Sequence, residues 1–290
     1  MKMVLIGGPQ RSGTTLLQTL LANALAAPVL PEAHILCDIA NAYKRAKEFW
    51  HKTRFFYPTA EELLTLFNRF ARQHIDDVAK SSDCGVLVLK DPNFIHVYPE
   101  LRQLFPDAIL IACVRDPRDI AASFMDIGQR QPVTGSPGTY QVRDIHFIAN
   151  KILRAYTSLV SLPLELKVHR VAYESVVQAP EEAIQELARN TGLEIFLEKM
   201  ANPVWLPAEI RHNPAWTTSL DGGKPSPARV RAFERVLQPI EIRTVERVCT
   251  RIFDPLGYER VYPRYKESKW DAFARSHVQR LIRRARLLYS

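Results

Sequence analysis

The stretch Gly7–Thr15, GGPQRSGTT, joins an apolar run to an amphipathic one. The run before it, Met3–Ile6, reads MVLI, and the residues after it place leucines on one face at helical spacing. When a strand, a glycine-rich turn and a helix follow in this order, the backbone N–H groups of the turn and of the helix N-terminus can together hold an anion. The stretch therefore predicts an anion-binding loop near the start of the chain.

The ligands of this loop suit an anion other than a magnesium-bound triphosphate. From Gly8 to Gly13 the spacing is G-x-x-x-x-G, as in the loop that binds ATP and GTP, where a lysine follows the second glycine. Here Thr14 stands in the place of that lysine. The charged and hydroxyl-bearing residues of the loop are Arg11, Ser12, Thr14 and Thr15. The missing lysine favours a smaller anion.

The rest of the chain alternates strand and helix patterns. Further buried strands are predicted at Val86–Leu89, Ala108–Val114 and Leu166–Val171. Helices are predicted at Leu16–Leu25, after a capping box at Thr59–Glu62 with Leu63, Leu64, Phe67 and Phe70 as its apolar face, and at Glu181–Thr191. This order predicts an α/β fold, a P-loop-like parallel sheet flanked by helices on both faces in a single domain, residues 1–262. Ligands of such sheets bind at the carboxyl ends of the strands.

A second motif follows the most apolar of these runs. Val114–Ser123 reads VRDPRDIAAS, so that Arg115 emerges at the end of a strand and Ser123 lies two helical turns further on. An arginine and a hydroxyl in these positions can hold a second, separate phosphate. The same pattern also suits a solvated Arg–Asp turn that caps a helix.

Together the two motifs resemble those of the sulfotransferase family, which uses 3′-phosphoadenosine 5′-phosphosulfate as the donor. PQRSGTT resembles the loop of that family for the 5′-phosphosulfate, and CVRDPRDIAASF resembles its 3′-phosphate motif. The resemblance implies an enzyme that moves a sulfuryl group to an acceptor hydroxyl without a metal ion. It implies these donor-binding residues: Arg11, Ser12, Gly13, Thr14, Thr15, Arg115, Ser123, Tyr173, Ser219 and Lys224.

Shorter segments extend the resemblance, closest in style to the glutamate-base members that act on glycans and on protein tyrosines. These segments are LPEAH at Leu30–His34, LKDP at Leu89–Pro92, VAYES at Val171–Ser175 and SLDGGKP at Ser219–Pro225. The second arginine that some members carry after the 3′-phosphate helix has no clear counterpart, although Arg130 is a substitute to consider. The likeness to glycan and tyrosine enzymes slightly favours a saccharide or peptide hydroxyl as the acceptor.

The resemblance also implies the catalytic residues. Glu32 matches the catalytic glutamate and is the candidate base, with His34 as the rival and capping of the next helix as the structural alternative. Arg11 and Lys90 are candidates to stabilise the sulfuryl and bridging oxygens, while Lys90 could instead pair with Asp91 or Asp107. Asp91 itself is expected to fix the turn before Pro92.

Charge and cysteine content complete the expectations. The net charge is +8, and residues 264–290 contain eight lysine or arginine residues against two acidic ones, so the basic character belongs mainly to the end of the chain and does not predict nucleic-acid binding. Residues 263–290 are expected to form a basic helical tail that packs on the domain, is solvated, or touches an anionic membrane surface.

The scattered cysteines and the absence of a signal-peptide pattern before Met3 predict a cytoplasmic protein. The oligomeric state is not predicted.

Two other functions remain open from the sequence. A P-loop kinase of a small metabolite would need magnesium and ordinarily the lysine that is missing here. A family member without turnover would bind the nucleotide but catalyse nothing. The presence of both Glu32 and Lys90 argues against such degeneration.

Overall fold

The computed structural model describes residues 1–80, 85–130, 140, 142–206 and 223–262. Its centre is a four-stranded parallel sheet in the order β2-β1-β3-β4. The strands are β1 (Lys2–Gly7), β2 (Val86–Lys90), β3 (Ile109–Val114) and β4 (Val168–Ala172). All four predicted strands are confirmed, as is the α/β class. β4 begins two residues later than predicted because Leu166 ends a 3₁₀ turn and Lys167 takes a left-handed conformation.

The helices fill the intervals between the strands, as the alternating pattern predicts. Their bounds are α1 (Thr14–Ala24), α2 (His34–Glu48), α3 (Trp50–Thr53), α4 (Ala60–Lys80), α5 (Tyr98–Leu104), α6 (Pro117–Arg130), α7 (Ile145–Val160), α8 (Tyr173–Gln178), α9 (Pro180–Thr191), α10 (Phe233–Val236), α11 (Pro239–Val248) and α12 (Thr250–Leu256). Short 3₁₀ turns occur at Pro92–His96, Leu164–Leu166, Leu197–Met200 and Pro227–Arg229. None of the described helices is both long and apolar enough to cross a bilayer.

Each face of the sheet is covered by helices because both faces are apolar. On one face α1 and α9 pack over side chains that include Val4, Val88 and Ile111. On the other face, where alternate residues such as Leu5 and Leu110 point, the cover includes the buried rings of Phe94, Tyr98 and Tyr156. This two-sided burial is what continuous apolar strands of a parallel sheet require.

The capping box that opens α4 is present, but its apolar face is narrower than predicted. The Glu62 N–H donates to Thr59 Oγ1 (3.1 Å), and Leu63 is fully buried. Phe70, which was expected on the same face, is 57% exposed, so that part of the prediction is wrong. α4 packs against α2 and α5 at the rim of the domain, where its stripe is only partly covered.

The compact unit that contains the sheet is Met1–Tyr258, with Glu259–Ser290 as a second unit. The predicted tail, 263–290, lies outside the described residues, so its helical character and its membrane contact stay predictions. Within the first unit, the loops that follow β1, β2 and β3 meet at one edge of the sheet, where the sequence places its motifs.

Candidate active site

The loop after β1 approaches its neighbours so closely that two of its positions accept only glycine. Gly8 (φ 152°) has no room for a side chain, since a Cβ there would lie 2.5 Å from the carbonyl oxygen of Cys113. At Gly13 (φ 101°), the residue that precedes α1, a Cβ would lie 2.5 Å from the Tyr173 ring. Both residues also lie at positive φ, which disfavours side chains. The loop is therefore fixed against the end of β3 and the start of α8.

This loop presents polar groups at the N-terminus of α1. Ser12 is fully buried, and its Oγ has no hydrogen-bond partner within the described residues. Thr14 and Thr15 begin the helix, whose first N–H groups have no partner within the helix and favour an anion. A buried hydroxyl without a partner is costly, and a bound oxyanion would accept its hydrogen bond. The loop therefore has the chemistry of an anion site, as the sequence predicts.

Arg115, which directly follows β3, is a buried cation that forms no ion pair with any described acidic residue. The buried Tyr156 hydroxyl fixes its backbone, accepting from Arg115 N (2.8 Å) and donating to Arg115 O (2.5 Å). The guanidinium donates to the carbonyl oxygens of Arg11 (3.0 Å) and Arg229 (2.7 Å) and lies 4.1 Å from the centroid of the Tyr173 ring.

Arg115 forms no direct ion pair in the described part of the chain, although Asp119 lies near enough to interact with its charge. Only 5% of Arg115 is exposed, and its buried Nε has no hydrogen-bond partner among the described residues. No described carboxylate lies within ion-pairing distance of it. Burying a charge without a counterion is expensive, so the arrangement favours an anionic ligand.

Arg11 and Ser123 lie beside this arginine. Arg11 Nε donates to Ser123 Oγ (3.1 Å), and Arg11 itself has a left-handed backbone (φ 73°), which is strained for a residue with a side chain. The structure thus brings together Arg11, Arg115, Ser123 and Tyr173 from three separate segments. Arg11 also has a predicted role at the transferring group, but in this structure its side chain extends towards Ser123.

Sequence reasoning missed Asp119, a buried residue of α6 that lies near Arg115. Burial raises the pKa of the Asp119 carboxyl to about 6, an effect that nearby Arg115 partly offsets. The carboxyl accepts hydrogen bonds from the backbone N–H groups of Arg231 (2.8 Å) and Phe233 (3.0 Å). It thereby holds the segment that carries Arg229 against α6. Contacts between residues more than a hundred positions apart leave no local signal in the sequence.

A second cluster lies where β2 ends. Glu32 pairs with Lys90 through an isolated parallel β-bridge, and the Ala33 N–H donates to the Lys90 carbonyl (2.9 Å). Lys90 Nζ lies 2.6 Å from Glu32 Oε1 and donates to Thr15 Oγ1 (3.2 Å). This contact joins the candidate catalytic pair to the anion-binding loop.

The geometry excludes two of the structural alternatives for this pair. Lys90 is 4% exposed and bonds Glu32, so the alternative pairing with Asp91 or Asp107 is wrong. Glu32 does not cap α2, because the residue at the helix start is Ala33 and no side chain caps it. The Glu32 side chain is 39% exposed and thus accessible to a ligand.

His34, the rival base, is held by a buried carboxylate. Its Nδ1 lies 2.7 Å from Asp91 Oδ2, and its Nε2 lies 3.4 Å from Glu32 Oε2. Asp91 also accepts from the Asn93 N–H (2.8 Å), which gives it the predicted role in the turn before Pro92. When Nδ1–H donates to Asp91, the exposed Nε2 is left as a proton acceptor. Asp91 therefore orients the imidazole as well as the turn, which the sequence did not indicate.

Three of these side chains also form the one group in the described residues that could hold a metal ion. Ligand atoms of Glu32, His34 and Asp91 lie within 4.8 Å of one another. The Lys90 ammonium, 2.6 Å from Glu32 Oε1, competes directly for that carboxylate and repels a cation. The donor set therefore suits proton and anion chemistry better than a divalent ion.

Two predicted donor-binding residues are not placed in either cluster. Ser219 lies outside the described residues. Lys224 is described and is exposed, in the segment that leads to the 3₁₀ turn Pro227–Arg229. Their roles stay predictions, as does that of Arg130.

The layout is that of a group-transfer enzyme. A parallel α/β sheet carries an anion-binding loop, a buried arginine without an ion pair in the described residues, and a cluster of acid and base groups along one edge. Residues 4–198, more than half of the chain, match the model of the Sulfotransferase family. The chain belongs to the sulfotransferase family, and it is a sulfotransferase enzyme.

Comparison with solved structures finds sulfotransferases at low sequence identity. The sulfotransferase domain from the curacin biosynthetic pathway is 18% identical, with a TM-score of 0.52 over 89% of this chain and 98% of that one. The sulfotransferase domain of the Synechococcus PCC 7002 olefin synthase is 18% identical (TM-score 0.49, 85% and 93% covered). Sulfotransferase STF1 from Mycobacterium tuberculosis H37Rv is 14% identical (TM-score 0.43, 69% and 70% covered). No curated protein matches the chain by sequence.

We expect Gly13→Ala to destabilise the protein, because the added Cβ meets the Tyr173 ring and Gly13 has a positive φ. The predicted loss in free energy of unfolding is about 1–3 kcal/mol, measured by urea denaturation. Gly85→Ala is the matched control, since a Cβ there meets nothing within 4 Å. If Gly13→Ala unfolds at the same urea concentration as Gly85→Ala, the close packing of this loop is wrong.

Proposed function

We propose that this sulfotransferase transfers the sulfuryl group of 3′-phosphoadenosine 5′-phosphosulfate to the hydroxyl group of an acceptor, with no metal ion. The observation that carries the proposal is the buried Arg115, which has an unpartnered Nε and no acidic partner among the described residues. A nucleotide with phosphate groups at both its 3′ and 5′ positions supplies two separated anions. The cluster around Arg115 and the loop at the start of α1 are suited to them.

The cluster around Arg115 suits the 3′-phosphate. Arg115 offers Nε, Ser123 offers its hydroxyl, and Arg11 offers a guanidinium whose present partner is that hydroxyl. Arginine binds phosphate through several N–H groups in one plane, which gives both affinity and orientation. The Tyr173 ring, stacked on Arg115, restricts how the guanidinium can turn.

The loop suits the 5′-phosphosulfate. The helix N-terminus and the Ser12 hydroxyl bind oxyanions without a metal, and Thr15 links the loop to Lys90. The donor supplies an activated sulfuryl group and a good leaving group, adenosine 3′,5′-bisphosphate. Lys90 is placed to stabilise negative charge that develops beside the loop during transfer.

Glu32 is the proposed general base. Its carboxylate takes the proton of the acceptor hydroxyl while that oxygen forms its bond to sulfur, and the bond between sulfur and the oxygen of the 5′-phosphate breaks. Glu32 is accessible and lies beside Lys90, so proton acceptance and charge stabilisation occur at adjacent groups. His34 is a second candidate base, because its contact with Asp91 leaves Nε2 free to accept a proton.

Three finer assignments rest on the sequence resemblance or on composition alone. These are a saccharide or peptide as the acceptor, a cytoplasmic location, and contact of the basic tail with a membrane surface. Residues 263–290 can be tested separately by comparing liposome binding of the full chain and of a chain that ends at Tyr262.

Donor binding is tested by thermal unfolding with adenosine 3′,5′-bisphosphate in the presence of EDTA. A ligand that binds only the folded state adds about 2.7 kcal/mol of stability at a hundredfold excess over Kd. We expect Arg115→Met to lose most of this stabilisation, because it removes the buried guanidinium whose Nε has no partner in the described residues. Arg189→Met, on the exposed face of α9, is the matched control and should behave as wild type.

Two results would contradict the donor assignment. If Mg-ATP stabilises the protein and the bisphosphate does not, the protein is a kinase of the P-loop type. If the bisphosphate stabilises wild type and Arg115→Met equally, the 3′-phosphate does not bind at Arg115. Binding of the bisphosphate without transfer to any hydroxyl would instead identify a family member that lacks turnover.

The base is identified by comparing Glu32→Gln with His34→Gln in transfer of labelled sulfate to an acceptor found by screening. We expect Glu32→Gln to lower kcat by about 10²–10⁴-fold, the usual contribution of a general base, and His34→Gln to lower it far less. Affinity for adenosine 3′,5′-bisphosphate, which does not depend on the base, serves as the control for folding. A Glu32→Gln enzyme with near-normal kcat removes Glu32 as the base, and the reverse order of effects assigns the role to His34.

A further inference from the structure

The peptide unit that joins Arg115 to Asp116 is held at both of its polar groups by side chains from other helices. Tyr156 of α7 donates to the Arg115 carbonyl (2.5 Å), and Glu174 of α8 accepts from the Asp116 N–H through Oε1 (3.1 Å). Because this carbonyl and this N–H belong to one planar unit, the two contacts fix the orientation of the plane. The Arg115 N–H also donates to Tyr156 (2.8 Å). The direction in which the Arg115 side chain leaves the backbone is therefore set by these two residues.

Glu174 is adjacent in the chain to a residue that contacts the side chain of the same arginine. α8 begins with Tyr173, and Glu174 is its second residue. Arg115 Cζ lies 4.1 Å from the centroid of the Tyr173 ring. Tyr173 thus contacts the guanidinium, while Glu174 contacts the backbone that follows Arg115. The start of α8 supports both ends of this arginine.

Tyr258 orients the Glu174 carboxylate. Its hydroxyl donates to Glu174 Oε2 (2.8 Å), which leaves Oε1 to accept from the Asp116 N–H. Burial raises the pKa of Tyr258, and the nearby Glu174 carboxylate raises it further, so the hydroxyl stays protonated and remains a donor. A carboxylate with a hydrogen bond at each oxygen is restricted in rotation. Tyr258 and the Asp116 N–H therefore hold Glu174 in one orientation.

The end of α12 directs Tyr258 towards α8. Gly257 has a left-handed backbone (φ 78°), and its N–H donates to the Asp254 carbonyl (3.0 Å). The Tyr258 N–H donates to the Phe253 carbonyl (3.0 Å). These two bonds form a Schellman motif, which ends the helix and turns the chain. Because Phe253 is fully buried, the motif is fixed to the core, and so is the backbone of Tyr258.

Other contacts hold the side chain of Asp116 but not the peptide unit that precedes it. Arg118 Nη2 lies 2.6 Å from Asp116 Oδ2, and Arg118 Nη1 lies 2.6 Å from Glu246 Oε1. This network fixes the carboxylate of Asp116. It does not reach the Asp116 N–H, whose orientation depends on Glu174.

We propose that Glu174 and Tyr258 are positioning residues for the 3′-phosphate cluster. Tyr258 holds the Glu174 carboxylate, Glu174 holds the Asp116 N–H, and the peptide unit so oriented directs Arg115 to the phosphate. The inference rests on the proposed function and extends it to two residues that act through the backbone of Arg115.

Simple electrostatics predicts the opposite effect for Glu174. A carboxylate near an anion site repels the anion, so its removal by charge alone would tighten binding of the nucleotide. Positioning through the backbone predicts weaker binding instead. The two explanations therefore differ in the sign of the change in affinity.

The test compares adenosine 3′,5′-bisphosphate with adenosine 5′-monophosphate, which lacks the 3′-phosphate, by calorimetric titration of the full chain. We expect Glu174→Ala to weaken binding of the bisphosphate about tenfold and Tyr258→Phe about fivefold. Affinity for the monophosphate should not change, because neither variant alters the loop at the start of α1. The double variant should bind no more weakly than Glu174→Ala, since Tyr258 acts through Glu174.

A conservative variant and two controls accompany these measurements. Glu174→Gln should keep most of the affinity, because its amide oxygen can accept from the Asp116 N–H while its NH₂ group donates to the Tyr258 oxygen. Glu186→Ala, on the exposed face of α9, and Tyr57→Phe, between α3 and α4, are the matched controls. Both should bind the two nucleotides as wild type does.

The outcomes separate this inference from the proposed function. If wild type prefers the bisphosphate and Glu174→Ala binds it equally well or more tightly, the positioning role is wrong and the donor assignment stands. If Glu174→Ala weakens both nucleotides by the same factor, the residue supports the fold in general and the inference is again wrong. If wild type binds the bisphosphate no more tightly than the monophosphate, the donor assignment and this inference fail together.

Discussion

The site depends on how closely the loop after β1 approaches the ends of the neighbouring strands. Tyr98 fixes this approach from inside the core: its hydroxyl accepts from the Gly7 N–H (2.9 Å) and donates to the Ile111 carbonyl (2.5 Å), which joins the end of β1 to the middle of β3. Gly8 then passes the Cys113 carbonyl with no room for a Cβ. A buried tyrosine that bridges two strands keeps the loop in one conformation. Anion binding then costs little reorganisation, since its groups are already in position.

Charge is arranged differently at the two ends of the site. Around Arg115 the positive charge is buried and has no acidic partner in the described residues, so this end is incomplete without an anion. At the end of β2 the charged groups have partners, because Lys90 pairs with Glu32 and Asp91 contacts His34. The first end is suited to binding. The second is suited to the proposed reaction. We propose that Lys90 there exchanges its contact with Glu32 for the charge that develops on the leaving oxygen, and that Glu32 is released to accept a proton.

Local patterns in the sequence were sufficient to predict the sheet and to place many candidate site residues at its carboxyl edge. Continuous apolar runs predicted the four strands, and residues that directly follow a strand, such as Lys90 and Arg115, must lie at its carboxyl end. The partners of these residues could not be predicted in the same way. Tyr98, Tyr156 and Asp119 reach the site through contacts that depend on how helices pack. The exposure of Phe70 has the same origin: periodicity shows that a helix has an apolar stripe but not how much of the stripe a neighbour covers.

The central claim is that the buried Arg115 and the loop at the start of α1 bind opposite ends of one nucleotide. The most direct measurement is a crystal structure of the protein with adenosine 3′,5′-bisphosphate. The account predicts the 3′-phosphate within hydrogen-bond distance of Arg115 and Ser123, and the 5′-phosphate over the N–H groups and hydroxyls of Ser12–Thr15. A nucleotide bound with either phosphate elsewhere, or in the opposite orientation, would contradict it.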